Sequence, residues 1–161
     1  MSATSMPTIE GIELMTARVP LPQGPWGDQI HHVTDIEVAV VDVHGSNGQV
    51  GTGFSHTSGW CGQTISALIR EIIPDVIGLP LSPRGLWQRS YKYVHDVGGA
   101  GVTTHALAAL DIAYWDLLGK TLNASIVDVL GRVRERVPLY GSGSNLHMSI
   151  AEVIEQVKRW K

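Results

Sequence analysis

The chain has 161 residues, 43% hydrophobic and 17% charged, with a net charge of −3, an ordinary globular balance sufficient for a buried core in one or two small domains. Its scattered basic residues form no stripe for nucleic acid, and no apolar run reaches the length needed to span a bilayer. Cys61 is the only cysteine, which excludes an intrachain disulfide, and Met1 to Pro7 lacks the basic head and apolar segment of a signal peptide, so a cytoplasmic protein is expected.

Ile9 to Val19 alternates loosely, with Ile12 and Leu14 on one side and Met15 and Ala17 on the other, and predicts a first strand that stops at Pro20. Pro20 to Gln29 is dense in proline and glycine and predicts a loop, yet it carries Trp26 and Asp28. Loops with a large aromatic often cover something. From Thr34 to His44, Ile36, Val38 and Val40 take one face and Glu37 and Ala39 the other, a β-branched pattern that predicts a second strand. Gly45 to Gly48 supplies a hairpin turn, and Gln49 to Ser55 returns as a third strand in which Gly51 and Gly53 signal a bulge or a close backbone approach. Ser55 to Gly62 follows as a second polar loop with its own tryptophan, Trp60.

Thr64 to Val76 places Ile65, Leu68, Ile69, Ile72 and Ile73 at helical spacing, with a break or kink expected at Pro74. Ser82-Pro83 reads as an N-cap and first helical residue of a helix through about His95, whose Trp87, Tyr91 and Val94 form a stripe expected in the core. Val97 to Gly101 is glycine-rich before a helix, a place where free N–H groups can hold phosphate. Neither the dinucleotide fingerprint nor the lysine-bearing phosphate loop is present, and a nucleotide-binding fold would need parallel strands where the Asn47-Gly48 hairpin predicts antiparallel ones. Close packing of the glycines, with Thr103 or Thr104 capping the next helix, is the simpler expectation.

Ala106 to Lys120 carries only Asp111, Asp116 and Lys120 as charges, so this helix is apolar on nearly every side and belongs at the centre of the packing. A spacing of five residues sets Asp111 and Asp116 roughly 140° apart around the axis, which prevents them from acting on one proton. Asp116 and Lys120 are instead an i,i+4 ion pair, and Asp111 stands one turn before the Trp115 indole. The run Ala106 to Lys120, followed by Asn123 to Gly131, resembles the signature of the mandelate racemase and muconate lactonizing branch of the enolase superfamily. Thr121 to Ser125 departs from that pattern in a loop where glycine and proline are more usual.

The resemblance implies an α+β fold, a three-stranded antiparallel meander followed by a helical bundle, forming an N-terminal capping domain over residues 1–131. Residues 132–161 are then a linker and the first strand and helix of a truncated (β/α)8 barrel, with Val137 to Ser142 the strand and Ser149 opening the helix. It further implies a Mg²⁺-dependent enzyme that removes the proton next to a carboxylate, a sugar-acid dehydratase or racemase, acting as a homo-oligomer. The family's acid/base lysines and its Asp/Glu ligands for Mg²⁺ come from later barrel strands, so neither catalytic nor metal-binding residues are expected in this segment, and the 161-residue chain is expected to be inactive alone.

By the same resemblance the two tryptophan loops, about residues 19–33 and 55–62, close over the barrel mouth and select a small-molecule carboxylate. Trp26, Asp28, His31, His32, His56 and Trp60 are the candidates for substrate contact, and their polar character favours a polyhydroxylated acid over an aromatic one. His31 and His32, adjacent at the start of a strand, point to opposite faces and do not easily hold one metal ion. His56 and Cys61 are too few for a zinc site. The competing expectation is a stand-alone, non-catalytic binding module derived from the cap.

Overall fold

The computed structural model describes residues 6–22, 24–27, 29–143 and 148–160. Strand β1 (Ile9–Pro20) is followed by two very short strands, β2 (Trp26–Gly27) and β3 (His32–Val33), then by β4 (Asp35–Gly45) and β5 (Val50–Thr57). The long strands form an antiparallel sheet in the order β1-β4-β5, and β2 and β3 pair separately. Helices α1 (Gly62–Val76), α2 (Pro83–Val94), α3 (Val102–Leu122) and α4 (Ile126–Leu130) follow, and α5 (Ile150–Arg159) comes last. The predicted α+β architecture of meander and helices is therefore the observed one. Among the described residues no helix is long and apolar enough to cross a membrane.

One face of the sheet is covered by helices and the other is open. The covered face consists of successive cross-strand rows, Ile12–Val43–Gly51, Leu14–Val41–Gly53, Thr16–Ala39–Ser55 and Arg18–Glu37, the last paired with Thr57. Val41 and Val43 are fully buried and Ala39 nearly so. In β4 the core thus takes the side of Glu37 and Ala39, while Ile36, Val38 and Val40 are half-buried on the open face. Each phase carries three apolar residues; the helices cover that of Ala39, Val41 and Val43, and burying one whole phase of a strand leaves the other on the open face.

Helix α3 lies along β5 and runs opposite to it. A Cβ added to Gly53 would fall 2.1 Å from the Ala109 carbonyl oxygen, and one added to Gly51 would fall 2.2 Å from that of Ala113. His105 Nδ1 lies 2.9 Å from Ser55 Oγ one turn earlier. Four helical residues advance about 6 Å and two strand residues about 6.6 Å, so helix and strand stay in step from His105 to Leu117. The two glycines mark a close backbone approach between elements, and the β4–β5 ladder runs through them without a register shift.

Several local expectations are corrected. Helix α1 ends at Val76 as expected but carries Pro74 inside it without a break, since a proline in the last turn removes a single N–H. On α2 the buried residues are Pro83, Leu86, Ser90 and Val94, whereas Trp87 and Tyr91 are each 39% exposed and stack on one another with centroids 5.1 Å apart. Only Val94 of the predicted stripe is core. Gly101 is the residue before α3, and the threonine hydroxyls donate to loop carbonyls, Thr103 to Gly98 and Ala100 and Thr104 to Gly99, in place of accepting from helix N–H groups.

Residues 137–143 pair with no other strand among the described residues, and the predicted barrel strand is absent, because a strand needs a neighbour to complete its hydrogen bonds. Leu139 and Tyr140 are about nine-tenths exposed. Helix α5 does form, opened by a capping box between Ser149 and Glu152, and none of its residues is buried. The Trp160 ring lies against Gly141 and Gly143, where an added Cβ would come within 2.3 Å and 2.7 Å of it.

Candidate functional site

Both tryptophan loops leave the sheet at the same end. Pro20, the last residue of β1, pairs with Asp35, the first of β4, and Thr57, the last of β5, pairs with Glu37. The covered face, apolar through Leu14–Val41, turns polar as it nears this end, passing through Thr16 and Ser55 to Arg18, Glu37 and Thr57.

The first loop folds back as a small hairpin in which Trp26 pairs with Val33 and Gly27 with His32. Gly27 is required there, since a Cβ would meet the His31 carbonyl oxygen at 2.1 Å. Val33 is 1% exposed and anchors the hairpin, while the Leu21 N–H donates to the Thr34 carbonyl across the loop's base. Trp26 is half-buried and His31 and His32 are exposed. Of the two histidines only His32 belongs to a strand, so the expected strand beginning at His31 starts one residue later. Asp28 lies outside the described residues.

The second loop is held tightly. Arg18 Nε donates to Asp35 Oδ1 at 2.5 Å, and Arg18 Nη2 donates to the Gly59 carbonyl at 3.0 Å. The Gly62 N–H, the first of α1, donates to Glu37 Oε2 at 2.6 Å, and Thr57 Oγ1 donates to the Trp60 carbonyl. Between these ties Gly59 has φ +87° and Cys61 has φ +67°. Cys61 thus occupies the left-handed region that disfavours a side chain. What the loop presents outward is Trp60, 54% exposed, and the exposed Cys61. His56 lies inside β5, paired with Val38, and faces the open side of the sheet next to the half-exposed Phe54. The structure therefore brings Trp26, His32 and Trp60 to one end of the sheet on two loops, and keeps His56 on the open face of β5 opposite Val38.

Asp35 was invisible in the loop motifs, as were Arg18 and Glu37. The Asp35 carboxyl sits below its usual range because Thr34 and then Arg18 donate to it, and Arg18 is raised chiefly by its hydrogen bond to Asp35. A signal was present, since Arg18 continues the inward phase of Ile12, Leu14 and Thr16, and a charge in that phase needs a partner where the core ends.

The acids of α3 are committed elsewhere. Burial raises the Asp111 carboxyl, and its hydrogen bond from Trp115 offsets part of that. Burial would also raise Asp116, but the Lys120 ammonium at 2.7 Å and the Thr52 N–H at 2.8 Å outweigh it and hold the group low. Lys120 also donates to the Val50 carbonyl. Among the described residues no group of three or more His, Cys, Asp or Glu converges to hold a metal ion, so the residues present do not fit a Mg²⁺ site.

Residues 11–131 match the family model described as mandelate racemase / muconate lactonizing enzyme, N-terminal domain. The chain belongs to this family. Within the enolase superfamily it is similar to 3,6-anhydro-alpha-L-galactonate cycloisomerase of Streptomyces coelicolor, 26% identical over 94% of this chain and 43% of the relative. It is likewise similar to L-talarate/galactarate dehydratase of Salmonella typhimurium, 28% identical over 78% of the chain and 32% of the relative. The crystal structure of L-talarate dehydratase from Polaromonas, complexed with Mg and L-glucarate, superposes with a TM-score of 0.85 at 28% identity, covering 95% of this chain and 43% of that one. The chain spans less than half the length of each of these relatives. They are dehydratases and cycloisomerases, and the mandelate racemase family member described here carries the family's N-terminal fold.

Proposed function

We propose that this chain is the substrate-selecting cap of a Mg²⁺-dependent enolase-superfamily enzyme acting on a sugar acid, a dehydratase or racemase that removes the proton next to the carboxylate. The observation that carries the reading is the convergence of two tryptophan-bearing loops at one end of the sheet, in a chain whose relatives include sugar-acid dehydratases. Trp26 and Trp60 supply flat apolar surface that excludes water, and His31, His32 and His56 supply polar contacts suited to hydroxyl groups. Asp28 belongs to the same candidate set but lies outside the described residues.

The chemistry itself is not within these residues. Removing a carbon-bound proton next to a carboxylate builds negative charge that a preorganised cationic site must stabilise. Asp111 is engaged with Trp115 and Asp116 with Lys120 and Thr52, so neither acid of α3 is placed to serve as the base. The 161-residue chain, incubated with Mg²⁺ and a panel of galactarate, L-talarate, L-glucarate and galactonate, is expected to consume none of them. Mg²⁺-dependent loss of any of these acids, followed by NMR, would overturn the division of labour between cap and barrel. Tight binding of L-glucarate without turnover would favour a stand-alone binding module.

A further inference from the structure

We propose that Arg18 is a positioning residue that sets the conformation of the loop between β5 and α1, residues 58–61, and thereby the stance of Trp60. The inference deepens the cap reading and rests on it only for the consequence at the ligand; the clamp itself is a property of this chain. Residues 59–61 contain two left-handed positions, one of them the non-glycine Cys61. A side chain in that region is retained only where the surroundings over-determine the backbone.

Three neighbouring strands supply the constraint, with Thr57 of β5 donating to the Trp60 carbonyl. Arg18 reaches from β1 to hold the Gly59 carbonyl, and Glu37 reaches from β4 to hold the Gly62 N–H. Arg18 is in turn oriented by Asp35, whose other oxygen accepts from Thr34. Arg18 Nε also lies 3.9 Å from Glu37 Oε1, so one guanidinium stands beside both carboxylates that frame the loop. A planar fork can satisfy Asp35 and the Gly59 carbonyl together, whereas a lysine ammonium is a single point of charge. Because 61% of the Arg18 side chain is exposed and lies beyond the apolar rows, removing it leaves the core intact.

The test uses the full chain with Arg18→Met and Arg18→Lys, following the Gly62 amide by hydrogen exchange and the Trp60 indole N–H by NMR. Arg18→Met removes the donor to the Gly59 carbonyl and leaves the Glu37 acceptor of the Gly62 N–H in place; with that charged tie lost the loop should open more often, speeding Gly62 exchange by about tenfold or more and shifting or broadening the Trp60 signal. Amides of Val41, Val43 and the middle of α3 should keep their wild-type rates. Arg18→Lys should reproduce the loop effects. Unchanged Gly62 exchange and Trp60 signal in Arg18→Met would overturn the proposal, as would complete rescue by lysine, which would assign the effect to charge alone. Uniform acceleration of exchange throughout the core would also overturn it, because Arg18 would then support the fold and not the loop. None of these outcomes depends on whether a sugar acid lies beneath Trp60, which the activity and ligand experiments decide separately.

Discussion

The two ends of the sheet are built on different terms. At the end away from the loops, α3 presses on β5 across Gly51 and Gly53, and the remaining polar groups are tied across the same seam, Asp116 to Thr52 and Lys120 to the Val50 carbonyl. At the other end the strands finish in charged and hydroxyl side chains, Arg18, Asp35, Glu37 and Thr57, whose hydrogen bonds hold loop backbone. The first end spends its interactions on the fold and the second on the placement of the exposed loop between β5 and α1. Stability and loop placement are therefore separable by position along the same strands.

The largest effect should follow from closing the glycine approach. Gly53→Val places carbon against the Ala109 carbonyl and the Ala113 N–H; it should cost about 3 kcal/mol or more, the upper range for overpacking, in urea unfolding. A variant with wild-type stability would mean that α3 is not bound to this approach. Next comes Asp116→Ala, expected to cost about 1 kcal/mol, the worth of a charged hydrogen bond at a partly exposed site.

The pH dependence sharpens the contrast. The folded pKa of Asp116 is depressed, so its contribution is complete well above the ordinary 3.8 and is lost as pH falls below that value through the folded one. The folded pKa of Asp111 is raised, so its ionised form costs stability at neutral pH, and that cost shrinks as pH falls through the raised value. Asp111→Asn, which keeps an acceptor for Trp115, should leave stability at pH 7 unchanged or slightly increased, while Asp116→Asn should lower it. Unfolding curves from pH 3 to 7 would show the opposite signs. The smallest stability effect belongs to Trp60→Ala, within about 0.5 kcal/mol as for exposed positions; in an active enzyme carrying this cap it should raise KM for the sugar acid. A large loss of stability would place Trp60 in the scaffold instead.

Much of the scaffold was legible because local chemistry and tertiary demand agree there. The Asn47-Gly48 turn, the Ser82-Pro83 and Ser149 helix starts and the charge-poor Ala106 to Lys120 run each specify one structure at short range. Trp87 and Tyr91 misled because their apolar spacing is helical, yet α2 turns Leu86 and Ser90 to the core and leaves the aromatics to stack outside. Val137 to Ser142 has strand composition but no ladder, since strand formation depends on partners elsewhere. At the candidate site the tryptophans were visible as bulky residues in glycine-rich loops. Arg18 was visible only as a charge in the inward phase of β1, and its partners Asp35 and Glu37 were not visible, because their roles arise from cross-strand register and from loop carbonyls and N–H groups that carry no sequence label.

The most direct measurement of the lid assignment is oxidative footprinting of Trp26 and Trp60 in this cap joined to a family barrel, with Mg²⁺, in the presence and absence of a sugar acid that the joined enzyme turns over. Both indoles should lose reactivity when the acid is bound, with Trp87, on the outer face of α2, labelled equally in both states. Equal labelling of Trp26 and Trp60 with and without the acid would contradict the account.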